Sequence, residues 1–315
     1  MRIVIALALG LVLAAPAMAQ EPDTVEEIVV VARRSGAPLW EVTRGDSTVL
    51  LVGEIRGVPE ATPWRPAGLE AATERAQRVM IGVRARVSAA DILRLLWRSR
   101  TLTRLPDGRT SADYLTPEQE ARLAALEARY RQDYSRQSFL ISGSDLLGDR
   151  LRFDRDTTDD AGDVVRRAAR KADIPARPVG EVRGDEIVEN LLSAPPERHA
   201  PCLDAAMAAT EAGREGLIAR GDAWTHFDVP AVMASPLEAA LAICWPWGDP
   251  EMGVALRAQW VQAIDQALTE PGVTMAVAPL RILAEPGGVL DQIEASGLSI
   301  EGPEWKTAPG AAIRH

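Results

Sequence analysis

The chain has 315 residues and a net charge of −10, and Lys171 and Lys306 are its only lysines, so almost all positive charge is arginine. An acidic surface of mixed sign excludes generic nucleic-acid binding, which rests on a basic face that neutralises phosphates. The length suits one large domain or a core with insertions. Its two cysteines and three histidines (His199, His226 and His315) show no ligand spacing, so no metal site is expected from them.

Residues 1–19 read as a secretory signal peptide. Arg2 gives the positive start, Ile3 to Ala15 the apolar region, and Ala17-Met18-Ala19 the small residues of a cleavage site. The apolar run is shorter than the ~20 residues that cross a bilayer. The expectation is therefore an exported, periplasmic protein that starts at Gln20 and has no transmembrane segment after cleavage. Residues 20–36 form an N-terminal arm, in which Glu26 to Arg34 (EEIVVVARR) reads as a first edge strand or an exposed arm. The same run is similar to the short box with which certain receptors dock an energy-coupling protein.

Pro38–Thr43 and Ser47–Gly53 are two strands, and the turn residues Gly45 and Asp46 between them make a hairpin. Pro66 to Arg75 is a short helix with proline at its start, and Val79–Val83 is a buried strand, completing a β–β–α–β unit. From about residue 88 to 150 the pattern is a helical insertion. Thr116 and Pro117 open one of its helices, and Leu123, Leu126 and Tyr130 share a face. Asp159–Asp173 is an amphipathic helix, followed by a short strand over Ala176–Glu181.

Residues 184–270 form a second helical insertion, which holds Cys202 and Cys244. In an exported chain an even pair reads as a disulfide, and closing that loop contributes roughly 4 kcal/mol in the chain-entropy picture. The competing reading is two buried free thiols. The last unit is a strand over 273–278, a glycine-rich turn, a helix Gly288–Ser296 and a strand Leu298–Ile300. With strands at both ends and helices between, the expected fold is α/β (α+β). A central mixed sheet is built from N- and C-terminal β–α–β units, and 37–315 is a single domain.

Two arginines, Arg56 and Arg281, each stand just past an apolar run, STVLLVGEI and GVTMAVAPL. Polar residues at the ends of core strands are where open α/β sheets build their sites. No phosphate-cradling glycine loop, nucleophile elbow or Cys-x-x-Cys accompanies them. His199 and His226 read as surface residues.

A wider set of motifs carries a resemblance. Ala37–Val42 (APLWEV), Ser47–Arg56 (STVLLVGEIR) and Pro63-Trp64 form an opening. Asp163–Glu181, then Cys202, Ala223-Trp224 and Cys244 follow, and Arg257–Trp260 (RAQW) with Gly287–Ile293 (GGVLDQI) close the chain. On these the chain resembles the TraB/GumN family, related to the Tiki membrane-associated metalloproteases, over about residues 37–303. The resemblance implies a metal-dependent hydrolase site built on two Gly-x-x-His segments, an acid at the end of the third strand and a further glutamate. Here the histidine positions hold Arg56 and Arg281, the acid position falls at Gly82, and Glu181 is the acid that persists.

The departures fall on the chemistry. Histidine ligates through a neutral ring nitrogen, whereas a guanidinium stays protonated, offers only donors and repels a cation. The expectation is a pseudo-enzyme with no metal, no cofactor and no assigned catalytic residue. It would bind a small anionic ligand through Arg56, Arg281, Glu54 and Glu181, or an envelope protein. One alternative is a residual Tiki-type hydrolase with Glu181 as general base and Glu54 or Asp291 as a second carboxylate. Another is an envelope scaffolding protein that uses the 88–150 insertion and tryptophans such as Trp245 and Trp247. The plainest reading is that each arginine simply pairs with Glu54, Glu181 or Glu285.

Overall fold

The computed structural model describes residues 24–86, 88–98, 102–244 and 250–306. The leader at 1–19 and the Trp245-Pro246-Trp247 run lie outside the described residues. Eight strands are described: β1 (Leu39–Arg44), β2 (Ser47–Glu54), β3 (Arg78–Ile81), β4 (Val83–Arg86), β5 (Ala176–Arg177), β6 (Gly180–Arg183), β7 (Gly272–Pro279) and β8 (Ile300–Glu301). Six form one mixed sheet in the order β5-β3-β7-β2-β1-β8, and β4 pairs with β6 in a second, two-stranded sheet.

β1 and β2 are the antiparallel hairpin expected, running from Leu39↔Val52 to Arg44↔Ser47. Gly45 takes a left-handed φ of 57° at the turn, which glycine adopts without strain. β2 and β7 are parallel neighbours, as are β3 and β7, so the last long strand sits between two strands from the start of the chain. Both are apolar and buried nearly throughout, rather than alternating, because helices cover the sheet on both faces.

The helices are α1 (Val25–Arg33), α2 (Pro66–Glu74), α3 (Ala89–Trp97), α4 (Pro117–Tyr130), α5 (Phe139–Asp145), α6 (Ala161–Lys171) and α7 (Gly184–Ser193). After them come α8 (Ala200–Thr225), α9 (Val229–Met233), α10 (Pro236–Ile243), α11 (Pro250–Ala267), α12 (Leu280–Ala284) and α13 (Val289–Ala295). One core surrounds the sheet, with Trp40, Leu50, Val52, Trp260 and Val277 fully buried in it. A second core, including Leu123, Leu126, Phe139, Leu146 and Met207, belongs to the helical insertions. Cys202 and Cys244 are joined as a disulfide with their Cα atoms 4.8 Å apart, tying α8 to the end of α10. Among the described residues no helix is long and apolar enough to cross a membrane.

Four local expectations are corrected. The run at 26–34 is neither a strand nor an exposed arm but helix α1. The Thr24 hydroxyl caps it by accepting from the Glu27 N–H at 3.3 Å, Glu26 and Glu27 lie in its first turn, and Arg33 in its last. Its β-branched residues suggest a strand, but Ile28, Val29 and Ala32 fall on one helical face and fill the core against α2. The strand at 79–83 is two strands, because Gly82, with φ 71°, turns the chain out of the main sheet. The strand at 176–181 is likewise split by Pro178, which has no N–H to give to a ladder. Finally, β7 runs into the short helix α12, which carries Arg281, before the glycine-rich turn.

The α4 cap is as expected: Thr116 and Gln119 satisfy each other's backbone N–H groups. Helix α3 is unusual in what it shows to solvent, since Leu93 and Leu96 are each 65% exposed and Trp97 92%.

Candidate functional site

The strand register places the two arginines. Glu54 pairs with Pro279 where β2 and β7 end together, and Arg56 and Arg281 each lie two residues past that last pair, Arg56 in the turn after β2 and Arg281 in α12. A cavity of about 240 Å³ opens there, and Glu54, Arg56, Gly82, Glu238 and Arg281 all line it. Its apolar wall comes from the chain just past β2 and β7 and from α10 and α11, with Ile55, Leu241, Leu256, Trp260 and Ile282 the main contributors.

The arginines differ in their attachments. Arg281 is 11% exposed and reaches Glu285 at 3.5 Å, and the same carboxylate also pairs with Arg257. Arg56 is exposed and lies over the Phe153 ring at 5.7 Å, with no carboxylate in ion-pair range among the described residues. The backbone of Arg56 is held by Arg220, whose Nη1 donates to its carbonyl at 2.9 Å. Arg220 is itself buried and paired with Glu238, so the one other carboxylate on the cavity is already neutralised.

Glu54 sits between the cavity and the start of α6, where it accepts from the Gly162 N–H at 3.0 Å. A side chain at 162 would meet this carboxyl, since a Cβ there falls 2.6 Å from its Oε2. Burial pushes the Glu54 carboxyl up to about 7, and the nearby Asp160 charge adds to this against the Gly162 hydrogen bond and Arg166. Gly82 leaves open space, since a Cβ added there meets nothing within 4 Å.

Glu181 is not brought to this cavity. It lies on β6 beside β4, where Arg86 pairs with it at 2.8 Å. Asp291 is occupied at the start of α13, accepting from the Gly287 N–H at 2.8 Å and the Trp305 indole at 2.9 Å. His226 is exposed, as expected. His199 is half-buried at a separate cavity of about 470 Å³, where burial pushes its imidazole below the usual range.

The sequence profile of the TraB/PrgY/gumN family matches residues 38–302. The chain belongs to the TraB/PrgY/gumN family. No curated protein and no solved structure matches it.

In this TraB/PrgY/gumN chain the tryptophans of the recognisable motifs hold the frame of the site. The Trp224 indole donates to the Gly53 carbonyl at 2.8 Å and meets Trp64 edge to face at 5.3 Å, while the Trp40 indole donates to the Pro303 carbonyl at 2.8 Å. Sequence reasoning missed the Arg220–Glu238 pair and the apolar wall. The signal for the first was an arginine on the buried face of α8, spaced with Leu217 and Trp224. The wall had none, because it is gathered from separate elements.

Proposed function

We propose that this family member is an exported, periplasmic pseudo-enzyme that binds a small anionic ligand at the cavity where β2 and β7 end. The observation that carries the reading is that Arg56 and Arg281, each two residues past the last β2–β7 pair, line one cavity. Guanidinium groups bind carboxylates and phosphates through forked, charge-assisted hydrogen bonds. The donors around the cavity do not fit a divalent metal. Two are cations without lone pairs, Glu238 is taken by Arg220, and Glu54 alone remains. A residual hydrolase draws less support, since Glu181 pairs with Arg86 away from the cavity. Export is supported by the apolar leader and by the Cys202–Cys244 disulfide.

The test is a thermal-shift screen of phosphate and small carboxylates. Wild-type melting temperature should rise, Arg56→Ala and Arg281→Ala should each weaken binding roughly 10- to 100-fold, as loss of a charge-assisted hydrogen bond does, and the double variant should not respond. No shift with any of these anions would refute ligand binding. Stoichiometric zinc or manganese in the purified protein would refute the pseudo-enzyme reading.

A second reading, an envelope interaction protein, is favoured by the bare apolar face of α3, with Leu93, Leu96 and Trp97 outward. A photo-crosslinker at position 97 should give one discrete adduct in the cell envelope that Leu93→Ser and Leu96→Ser remove. Adducts no different from those of a control probe at the exposed Val254 would sink it.

A further inference from the structure

The cavity is mixed in character, with arginines set among buried apolar residues. Ile55, Leu256, Trp260, Leu280 and Ile282 line it and are each no more than 3% exposed, so its wall is fixed core rather than adjustable surface. Its polar members include Glu54, Arg56 and Arg281 past the strand ends and Glu238 on α10, the last neutralised by Arg220. A fully hydrated inorganic anion would satisfy the arginines and leave that wall facing water. A purely apolar guest would fill the wall and strip solvent from the arginines with nothing in return.

Charge and size narrow the guest further. Arg257 and Arg281 share the one carboxylate of Glu285, and Arg56 has no carboxylate in ion-pair range among the described residues, so a single carboxylate finds guanidinium donors still open to it. An apolar cavity of about 150 Å³ holds benzene, with its six carbons. Scaled to the 240 Å³ here, the space takes about ten non-hydrogen atoms.

We infer that the ligand is a small amphipathic monoanion: a carboxylate on a compact apolar body, about ten non-hydrogen atoms in all. Its head group lies at Arg56 and Arg281, and its body packs on Leu241, Leu256, Trp260 and Ile282. The inference rests on the anion-binding reading and specifies which anions the site selects.

Calorimetry with butyrate, hexanoate, octanoate, octanol and inorganic phosphate tests it, with carboxyl-labelled octanoate observed by carbon-13 NMR. Affinity should rise roughly fourfold per methylene from butyrate to octanoate, the factor for burying one CH₂. Octanol should bind at least about tenfold more weakly than octanoate, having lost the charge-assisted contact. Leu241→Trp should fill the wall and abolish the gain in affinity with chain length. Phosphate or butyrate binding as tightly as octanoate would overturn this inference and leave the anion reading standing. Octanol matching octanoate would overturn both, as would no binding by any probe. The chain-length series on the unmutated protein decides the matter whether or not Leu241→Trp folds.

Discussion

Arg220→Ala is expected to lower the stability of the fold by roughly 3–5 kcal/mol, the usual consequence of breaking a buried ion pair from one side. The Arg220 side chain has no solvent exposure and that of Glu238 only 7%. Arg220 Nε donates to Glu238 at 2.8 Å, Nη2 reaches the same carboxylate oxygen, and Nη1 holds the Arg56 carbonyl at 2.9 Å. Truncation leaves a charged carboxylate and a carbonyl without their donor. The paired change Arg220→Met with Glu238→Leu should recover most of the loss, because neither charge then remains buried. It should not recover ligand affinity, since the tether to the Arg56 backbone is still missing. Denaturant unfolding of the two single variants and the double variant measures this as a cycle. A single-variant loss below about 1 kcal/mol would mean that water reaches the pair.

Glu54→Gln is the next largest effect, and its sign depends on pH. The Glu54 carboxyl lies at about 7 in the folded protein, against an ordinary value of 4.5, so folding favours its protonated form. That contribution is fully present below pH 4.5 and is lost as pH rises through 7. The difference corresponds to roughly 3 kcal/mol. Asp160 and Asp163 on the α6 side oppose ionisation, while Arg166 and the Gly162 N–H favour it. Glutamine keeps an acceptor for that N–H and removes the charge. The variant should match wild type near pH 5 and melt at higher temperature near pH 8. Identical pH profiles for the two proteins would show that Glu54 titrates like an exposed glutamate. Anion affinity should weaken over the same range, because a bound anion then meets an ionised neighbour.

Much of the fold is written locally. The β1–β2 hairpin, α2 with Pro66 at its start, the Thr116 cap and the mostly apolar β7 each carry their own turn, cap or apolar run. The errors fall where tertiary structure overrides a local preference, as in α1, or where one backbone angle redirects the chain, as at Gly82. The arginines could be read as strand-end residues. Their adjacency could not, because it depends on parallel pairing between segments at opposite ends of the chain. Nor could the exclusion of Glu181, whose strand belongs to a different sheet. Arg220 shares a helical face with Leu217 and Trp224, but its partner Glu238 is identified only by the packing of α8 against α10.

The insertion of β7 between β2 and β3 sets an order of events for the nascent chain. Ser47 must wait for Gly272 before its strand gains a parallel neighbour, and contacts so distant in sequence are slow to close. The helical insertions have their own core and a disulfide from 202 to 244, so their contacts need no residue of β7. Throughout that interval β2 and β3 carry unpaired apolar edges, the kind of surface that aggregates unless a chaperone covers it. The cavity where β2 and β7 end is thus closed only by the last part of the chain, and any chain truncated before residue 272 lacks Pro279, Leu280, Arg281 and Ile282 from its lining.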